Sequence, residues 1–347
     1  MSTISIMRWL LGVLLGVQSC SGLWAHSSAD SGDLVDSQSI AELFYTLNGE
    51  SDNPHKKINH TKGFCAVGEL IPTQGITKTY DIPLLEASSI PVQVRFSLGG
   101  GNTMASDSTK IRGMGLKIQG MSESWEMALL NTQINFAKNL EEFVQFLEVN
   151  NPQKSGVCAQ NAPRDSTSRP DAQNQRSCDE ILASTKSFAN YKKYLATLPL
   201  TPSVAHTIYH SVHTFYFQDS KGRSIPARFA FIPVAGERGL STAQAKKLGD
   251  EFLQKDFKTK IAHQPIEYKM VLILANPSDV TNDTTALWEG THQEVQLATL
   301  RVTKYTGEGC NGDVFMPIVL PKGVGAPKDP LFETRSEVYG LTFGRRQ

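Results

Sequence analysis

Short segments in which apolar and polar residues alternate recur along this chain, and they constrain its fold more than any other feature. Alternation with a period of two is the pattern of a β-strand with one buried face. The alternating segments are residues 64–71, 92–98, 113–119, 125–131, 212–218, 227–233, 266–275 and 295–304. Eight strands are enough to close a sheet on itself. The sequence therefore predicts an eight-stranded antiparallel β-barrel.

Helical periodicity is present in four other segments. They are residues 139–149, 181–198, 242–261 and 329–339. Gly340 follows the last of them and is expected to end that helix. The predicted fold class is α+β, with helices surrounding the barrel in a single domain over residues 26–347.

The composition excludes several classes of protein. Of the 347 residues, 40% are hydrophobic and 20% are charged, and 34 Lys and Arg balance 34 Asp and Glu. A chain this apolar is not generally disordered or collagen-like. Because the charges balance, no nucleic-acid partner and no attraction to a membrane surface are expected.

The N-terminal residues are typical of a secretory signal. Arg8 precedes an apolar run over residues 9–17, which is followed by small and polar residues. The run is too short to span a bilayer. We expect a signal peptide over residues 1–25, cleaved after Ala25, and a periplasmic or secreted protein that is not held in the membrane. The alternative is a lipoprotein acylated at Cys20.

The five cysteines are interpreted on the assumption of export, because an oxidising compartment lets thiols pair. Cys20 would leave with the signal. Cys158 and Cys178 bracket a polar stretch with no apolar periodicity, and a disulfide between them is expected. Cys65 and Cys310 could form a second bridge or remain buried thiols.

Three local features carry candidate chemistry. His60 precedes the first predicted strand, Arg95 and Ser97 project from one face of the second, and Arg335 and Tyr339 lie one turn apart on the last helix. An arginine beside a phenol favours the phenolate, which is a hard ligand for ferric iron. Taken singly, each feature is more typical of a structural residue.

Their joint order along the chain carries a specific resemblance. In sequence order the segments concerned are NHTKGFCAVGEL, VQVRFSLGGG, TKIRGMGLKIQG, NTQINFAKNLEEFVQFL, VHTFYFQDSKGRSIPARFAFIP and RSEVYGLTFGRR. Together they resemble the haem-binding core of the catalase family over roughly residues 40–346. With a signal peptide and only a short stretch after Tyr339, the chain most resembles the short, exported catalase-related haem peroxidases.

The resemblance implies haem b (iron protoporphyrin IX) as cofactor and assigns roles around it. His60 would be the distal base, Ser97 the hydroxyl that orients it and Asn131 the distal amide. Tyr339 would be the axial ligand of the haem iron and Arg335 its charge partner.

The remaining implied roles belong to the pocket walls and the haem propionates. Phe136 and Phe143 would be apolar walls, and Arg95 and Arg346 would meet the propionates or the proximal side. Lys57 stands where typical catalases carry an arginine, and it can neutralise a propionate without the two-point contact of a guanidinium.

Two further positions depart from the family pattern. The sequence after Asn131 reads Thr132 and Gln133, without the proline of typical catalases. Around His213 the chain carries one inserted residue, so His213 is expected to be structural.

The function implied by the resemblance is a haem-dependent peroxidase. It would reduce hydrogen peroxide, organic hydroperoxides or both through a ferryl intermediate, use a small reducing donor and protect against oxidative stress. The alternatives are a small true catalase, a non-catalytic periplasmic haem-binding protein, a scaffold that has lost haem, and a fatty-acid hydroperoxide rearrangement enzyme. Catalase tetramers are held partly by an N-terminal arm that has no counterpart here, so a monomer or homodimer is expected.

Overall fold

A computed structural model describes residues 36–49, 53, 55–150 and 178–347. The predicted signal peptide, residues 1–25, lies outside the described residues. Cys158 also lies outside them, and so does its predicted bridge to Cys178.

The strands of the described residues form one antiparallel sheet. They are β1 Gly63–Pro72, β2 Ile90–Leu98, β3 Arg112–Gln119, β4 Ser124–Leu130, β5 Tyr209–His210, β6 Phe215–Gln218, β7 Ser224–Pro233, β8 Ile266–Leu274, β9 Glu294–Gly307 and β10 Val324–Gly325. Eight of them run in the order β7-β5-β4-β3-β2-β1-β9-β8, and β8 pairs back with β7. The predicted eight-stranded barrel is therefore confirmed. One of its strands differs from the prediction, because the short β5 completes the ring, whereas the predicted strand 212–218 forms β6, which extends the sheet with β10 beside β7.

The interior of the barrel holds the main apolar core. Along β2 the side chains of Val94, Phe96 and Leu98 are buried inside, while Arg95 and Ser97 project from the outer face. Burying one such side chain contributes about 1.5–3 kcal/mol relative to leaving it in water. The alternation in the sequence therefore decides which side chains fill the barrel and which line its outer face.

Helices pack on the outside of the barrel. They are α1 Ser37–Asn48, α2 Leu140–Val149, α3 Cys178–Ser184, α4 Lys186–Thr197, α5 Thr242–Leu248, α6 Phe252–Ile261 and α7 Leu331–Gly344. The sequence patterns did not predict α1, which begins at a capping box formed by Asp36 and Ser39. No helix in the part of the chain described here is long and apolar enough to cross a membrane.

Three helix predictions are corrected by the structure. The segment 181–198 is divided at Thr185, which has extended backbone between α3 and α4. The segment 242–261 is divided at Gly249, whose φ of 74° lies in the left-handed region. Gly340 does not end α7, which continues to Gly344, because Val338 and Leu341 on this part of the helix pack into the apolar cluster shared with α1.

The predicted strand 212–218 is shorter than its alternation suggests. Val212 has a φ of 61°, which a β-branched residue adopts only when its surroundings impose it. Pairing with β7 begins only at Phe215.

The fate of two cysteines that the sequence left open is decided by the fold. Cys65 on β1 and Cys310 in a short 3₁₀ turn after β9 form a disulfide, with their Cα atoms 5.8 Å apart. The bridge ties the turn over Gly309–Gly312 to the barrel.

Candidate active site

The candidate site lies on the outer face of the barrel, where strand register sets side chains in rows. Directly paired residues of antiparallel strands project to the same side. The upper row consists of Ser97 on β2, Gly113 on β3, Leu130 on β4 and His210 on β5. The lower row consists of Arg95, Gly115 and Ala128 on β2, β3 and β4.

His60 sits against the upper row. Its Nδ1 lies 3.1 Å from Ser97 Oγ. A Cβ atom on Gly113 would lie 2.8 Å from the same Nδ1, closer than real Cβ contacts come. Only glycine at position 113 therefore leaves room for the imidazole.

Arg95 holds the backbone of His60 in place. His60 has a φ of 51°, and its carbonyl accepts a hydrogen bond from Arg95 Nη2 at 2.7 Å. Arg95 Nε donates to Asn311 Oδ1 at 2.8 Å, and the side chain is only 4% exposed. The sequence predicted that Arg95 acts at the cofactor. The structure adds a second role that the sequence did not suggest, because Arg95 positions the backbone of His60.

The electrostatic surroundings keep the His60 ring neutral. Desolvation, followed by the positive charges of Arg95, Arg335 and Lys57, lowers the pKa of His60 to about 3. The ring is held through Nδ1, and within the described residues Nε2 has no hydrogen-bond partner. A neutral imidazole with one free nitrogen can accept a proton.

Arg335 and Tyr339 on α7 meet the lower row. Arg335 Nη2 donates to the carbonyl of Ala128 at 2.9 Å and to the Tyr339 hydroxyl oxygen at 3.1 Å. Its Nε lies 3.3 Å from the same phenol oxygen. The sequence placed these two residues on one helix face, and the structure brings them together at the barrel.

The start of α7 is fixed by a buried pair. Nδ1 of His213 donates to Asp329 Oδ2 at 2.8 Å, and both side chains are buried. Asp329 Oδ1 also accepts from the amide of Leu331 in the first turn of α7. His213, which was expected to be structural, therefore anchors the helix that carries Arg335. Sequence reasoning missed Asp329, although an Asp-Pro pair just before a helix is a capping signal.

Positive charge is concentrated beside the site. Lys57 Nζ donates to the carbonyl of Asp313 at 2.7 Å. Desolvation and the charges of Arg346 and Arg95 lower the pKa of Lys57 to about 7, whereas the carboxylate of Asp313 acts in the opposite direction. The basic side chains of Lys57, Arg95 and Arg346 thus share the carboxylate of Asp313. The positive charge that this carboxylate does not balance is available for an anionic group.

Phe315 was not found from the sequence, and it packs against the lower row. A Cβ atom on Gly115 would lie within 2.9–3.1 Å of the Phe315 ring. The glycine thus lets an aromatic ring lie directly against the barrel, where it can form an apolar wall. No periodic signal surrounds Phe315, which explains why the sequence did not point to it.

Asn131, Phe136 and Phe143 were also predicted to line the pocket. Asn131 uses its amide on the barrel: Oδ1 accepts from the Arg112 amide and Nδ2 donates to the Lys110 carbonyl, each at 2.8 Å. Both polar atoms of this side chain are therefore bonded to the backbone of the barrel. Phe136 and Phe143 lie together, with ring centroids 4.9 Å apart, in an aromatic group on the α2 side of the barrel.

Comparison with known proteins places the chain in a family. The family model described as catalase matches residues 42–346. A catalase-related peroxidase of Synechococcus elongatus is 30% identical, with 98% of this chain and 96% of that protein covered. A catalase-related peroxidase of Mycolicibacterium paratuberculosis is 25% identical, with 90% of this chain and 95% of that protein covered.

Solved structures agree on the fold. Catalase A from Saccharomyces cerevisiae has a TM-score of 0.70 at 17% identity, with 84% of this chain and 61% of that chain covered. A fungal catalase has a TM-score of 0.68 at 18% identity, with 84% of this chain and 59% of that chain covered. The chain thus spans about three fifths of these solved catalases. The family match and the shared fold show that this chain belongs to the catalase family.

Proposed function

We propose that this protein is a haem-dependent peroxidase that reduces hydrogen peroxide, organic hydroperoxides or both with a small reducing donor. Its family makes it a peroxide-acting oxidoreductase and implies haem binding. The observation that carries the finer proposal is the Tyr339 hydroxyl held by Arg335 at the same site as His60.

The residues of the site fit a haem. Tyr339 would supply an oxygen ligand suited to ferric iron, and Arg335 beside it donates hydrogen bonds to that oxygen. Lys57, Arg95 and Arg346 supply positive charge for two propionates, and Phe315 supplies an apolar wall for the flat macrocycle. Haem b is proposed because no Cys-x-x-Cys-His attachment motif is present in the sequence.

Haem would supply the redox chemistry, and the side chains of the chain would manage the proton. His60 is neutral, and none of the described residues occupies its Nε2, so it can take the proton from one peroxide oxygen and return it to the other. The departing oxygen then leaves as water or an alcohol rather than as an unstable anion. Ser97 holds Nδ1 and keeps the ring in the orientation that this transfer requires.

Export to the periplasm or the medium is part of the proposal. The Cys65–Cys310 disulfide supports it, since such bridges persist in oxidising compartments. N-terminal sequencing of the mature protein should begin at His26, after cleavage behind Ala25. A start at Cys20 with an attached lipid would show a lipoprotein instead.

The proposal also includes the oligomeric state, which we expect to be a monomer or homodimer. Size-exclusion chromatography with light scattering tests it.

One titration tests the function. The purified, haem-loaded protein is titrated with hydrogen peroxide or cumene hydroperoxide, with and without an oxidisable phenol, while oxygen release is followed. Phenol oxidation with little oxygen is the expected result. Vigorous oxygen release would show a small catalase, bound haem without turnover would show a haem-binding protein, and absence of a Soret band would refute haem binding.

A further inference from the structure

We propose that the reducing donor of this protein is a small organic anion, and that it binds at Lys117 on the edge of the site. This inference rests on the proposed function and names the chemical class of its donor. It follows from the strand register of Lys117, from its contacts and from the balance of charges around it.

Lys117 belongs to a third row on the outer face of the barrel, next to the lower row. Gln93 on β2, Lys117 on β3 and Glu126 on β4 are directly paired across the strands. Lys117 follows Gly115 of the lower row by two residues, so both project to the same side of β3. The side chain of Lys117 is only partly buried. A small solute can therefore reach its ammonium group from solvent.

The chain segment 313–316 crosses this face of the barrel and joins Lys117 to the site. Phe315, the apolar wall, packs against the lower row, and Lys117 Nζ lies 5.4 Å from the centre of its ring. Lys57 Nζ donates to a carbonyl of the same segment. Desolvation, followed by neighbouring positive charges that include Lys117, lowers the pKa of Lys57. Lys117 thus lies where the site borders on solvent, and its charge acts on the site.

The two carboxylates nearest along the third row are committed to other groups. Glu126 accepts a hydrogen bond from the Met316 amide at 2.6 Å. Asp313 Oδ2 accepts from Gln93 Nε2 at 2.8 Å. Within the described residues Lys117 forms no ion pair. Its charge is therefore available to a ligand.

The charges expected at the haem balance without Lys117. Lys57, Arg95 and Arg346 carry three positive charges, Asp313 carries one negative charge, and two propionates would add two more. Lys117 is then an unbalanced positive charge at the edge of the site. Such a charge attracts a small anion and does not attract a neutral molecule.

The redox step at this edge balances for an anionic phenol. Each phenol gives up one electron to the oxidised haem and becomes a phenoxyl radical, and its hydroxyl proton passes to water. Two phenols thus return the two electrons that one peroxide has taken up. Their two protons complete the products of the peroxide, which are two waters or one water and one alcohol. Lys117 holds the donor and takes no part in the electron or proton count.

Ferulate and its methyl ester form a matched pair of probes, because they share the phenol and differ by one carboxylate charge. Equilibrium dialysis against the resting, haem-loaded protein measures the Kd of each probe without peroxide. The wild type should bind ferulate about fivefold more tightly than the ester. Lys117→Gln should raise the ferulate Kd about fivefold, and Lys117→Glu about twenty-five-fold, because reversing the charge doubles the change in Coulomb energy.

Two further variants serve as controls for this binding measurement. Lys117→Arg keeps the charge and should keep the Kd of ferulate within about twofold of the wild-type value. Lys221→Gln removes the same charge from the exposed turn between β6 and β7 and should leave the Kd unchanged.

Turnover provides the second measurement. The ratio of kcat/KM for ferulate to kcat/KM for the ester should be about five in the wild type and about one in Lys117→Gln. Raising the ionic strength from about 10 mM to about 1 M should bring the wild-type ratio close to one, since salt screens the charge.

The outcomes separate the inference from the function on which it rests. Equal ferulate Kd values in the wild type, Lys117→Gln and Lys117→Glu would overturn the inference, and oxidation of the methyl ester would leave the peroxidase intact. An equal loss of ferulate binding in Lys221→Gln would overturn the placement at Lys117. A protein that forms no Soret band, or that oxidises neither probe, would refute the proposed function itself, and the inference with it.

Discussion

Arg335 holds the phenol oxygen of Tyr339 from one turn away on the same helix, with Nη2 at 3.1 Å and Nε at 3.3 Å. The same guanidinium donates to the Ala128 carbonyl of the barrel. One side chain thus fixes the phenol and joins α7 to the sheet.

Tyr339→Phe should abolish stable binding of ferric haem, because the ring remains and the oxygen ligand is lost. The Soret band after reconstitution and gel filtration measures this. Arg335→Gln keeps a hydrogen-bond donor but removes the charge, and we expect it to retain haem with reduced affinity. A normal Soret band in Tyr339→Phe would remove this residue as the iron ligand.

Haem retention should depend on pH through Lys57. Its pKa is about 7 in the site without a bound anion, and carboxylates beside it would raise this pKa. Binding would then take up a proton, so haem affinity should fall as the pH rises above about 7. Lys57→Arg stays charged at every pH used and should not show this loss.

Transfer of haem to apomyoglobin measures this retention. Between pH 6.5 and pH 9 the rate should increase about three- to tenfold in the wild type, and it should change little in Lys57→Arg. Equal wild-type rates at the two pH values would contradict the role given to Lys57.

The buried His213–Asp329 pair should stabilise the start of α7. Asp329→Ala leaves a buried imidazole N–H and the Leu331 amide unpaired, and we expect it to lower the free energy of unfolding by about 2–4 kcal/mol. Asp329→Asn keeps an acceptor oxygen and should cost less. Urea denaturation of the three proteins measures the difference, and equal stability of Asp329→Ala and wild type would show that the pair contributes nothing.

The disulfide should support the site as well as the fold. Replacing Cys65 and Cys310 with serine should lower the free energy of unfolding by about 2–4 kcal/mol. The double variant should also lose haem faster, because Asn311 beside the bridge holds Arg95 and the Gly63 carbonyl. The wild type with its Cys65–Cys310 bridge intact is the control. Unchanged haem loss in the double variant would limit the bridge to global stability.

His60 should make the fold sensitive to acid. Its pKa is about 3 in the folded protein and about 6.5 in an unfolded chain, so the unfolded state binds more protons between these values. Stability should therefore fall as the pH is lowered from about 6.5 to about 3. His60→Gln lacks this group and should show a shallower decline in urea unfolding experiments. Parallel curves for the two proteins would argue against a depressed pKa.

The sequence predicted the barrel because burial imposes a simple rule on each strand. Every second residue of β2 must be apolar to fill the interior, and this rule is local. The pairing of Arg335 with Tyr339 was also predictable, since residues four apart share a helix face whatever surrounds the helix.

Helix boundaries were less predictable because tertiary contacts override local preference. Gly340 is a typical terminator, yet α7 continues past it where Leu341 packs with α1. Thr185 interrupts a continuous helical pattern and stands with extended backbone at the N-cap of α4.

The sequence by itself determined seven of the eight barrel strands, the order of His60, Ser97, Arg335 and Tyr339, and the family they indicate. Only the tertiary structure decided that Cys65 pairs with Cys310, that Arg95 holds His60 and that the Asn131 amide is used by the barrel. These facts depend on register and on contacts between segments far apart in the chain. A shift of one residue in a strand exchanges its two faces, so the side of the sheet that Leu130 or Asn131 faces is decided only when the barrel closes.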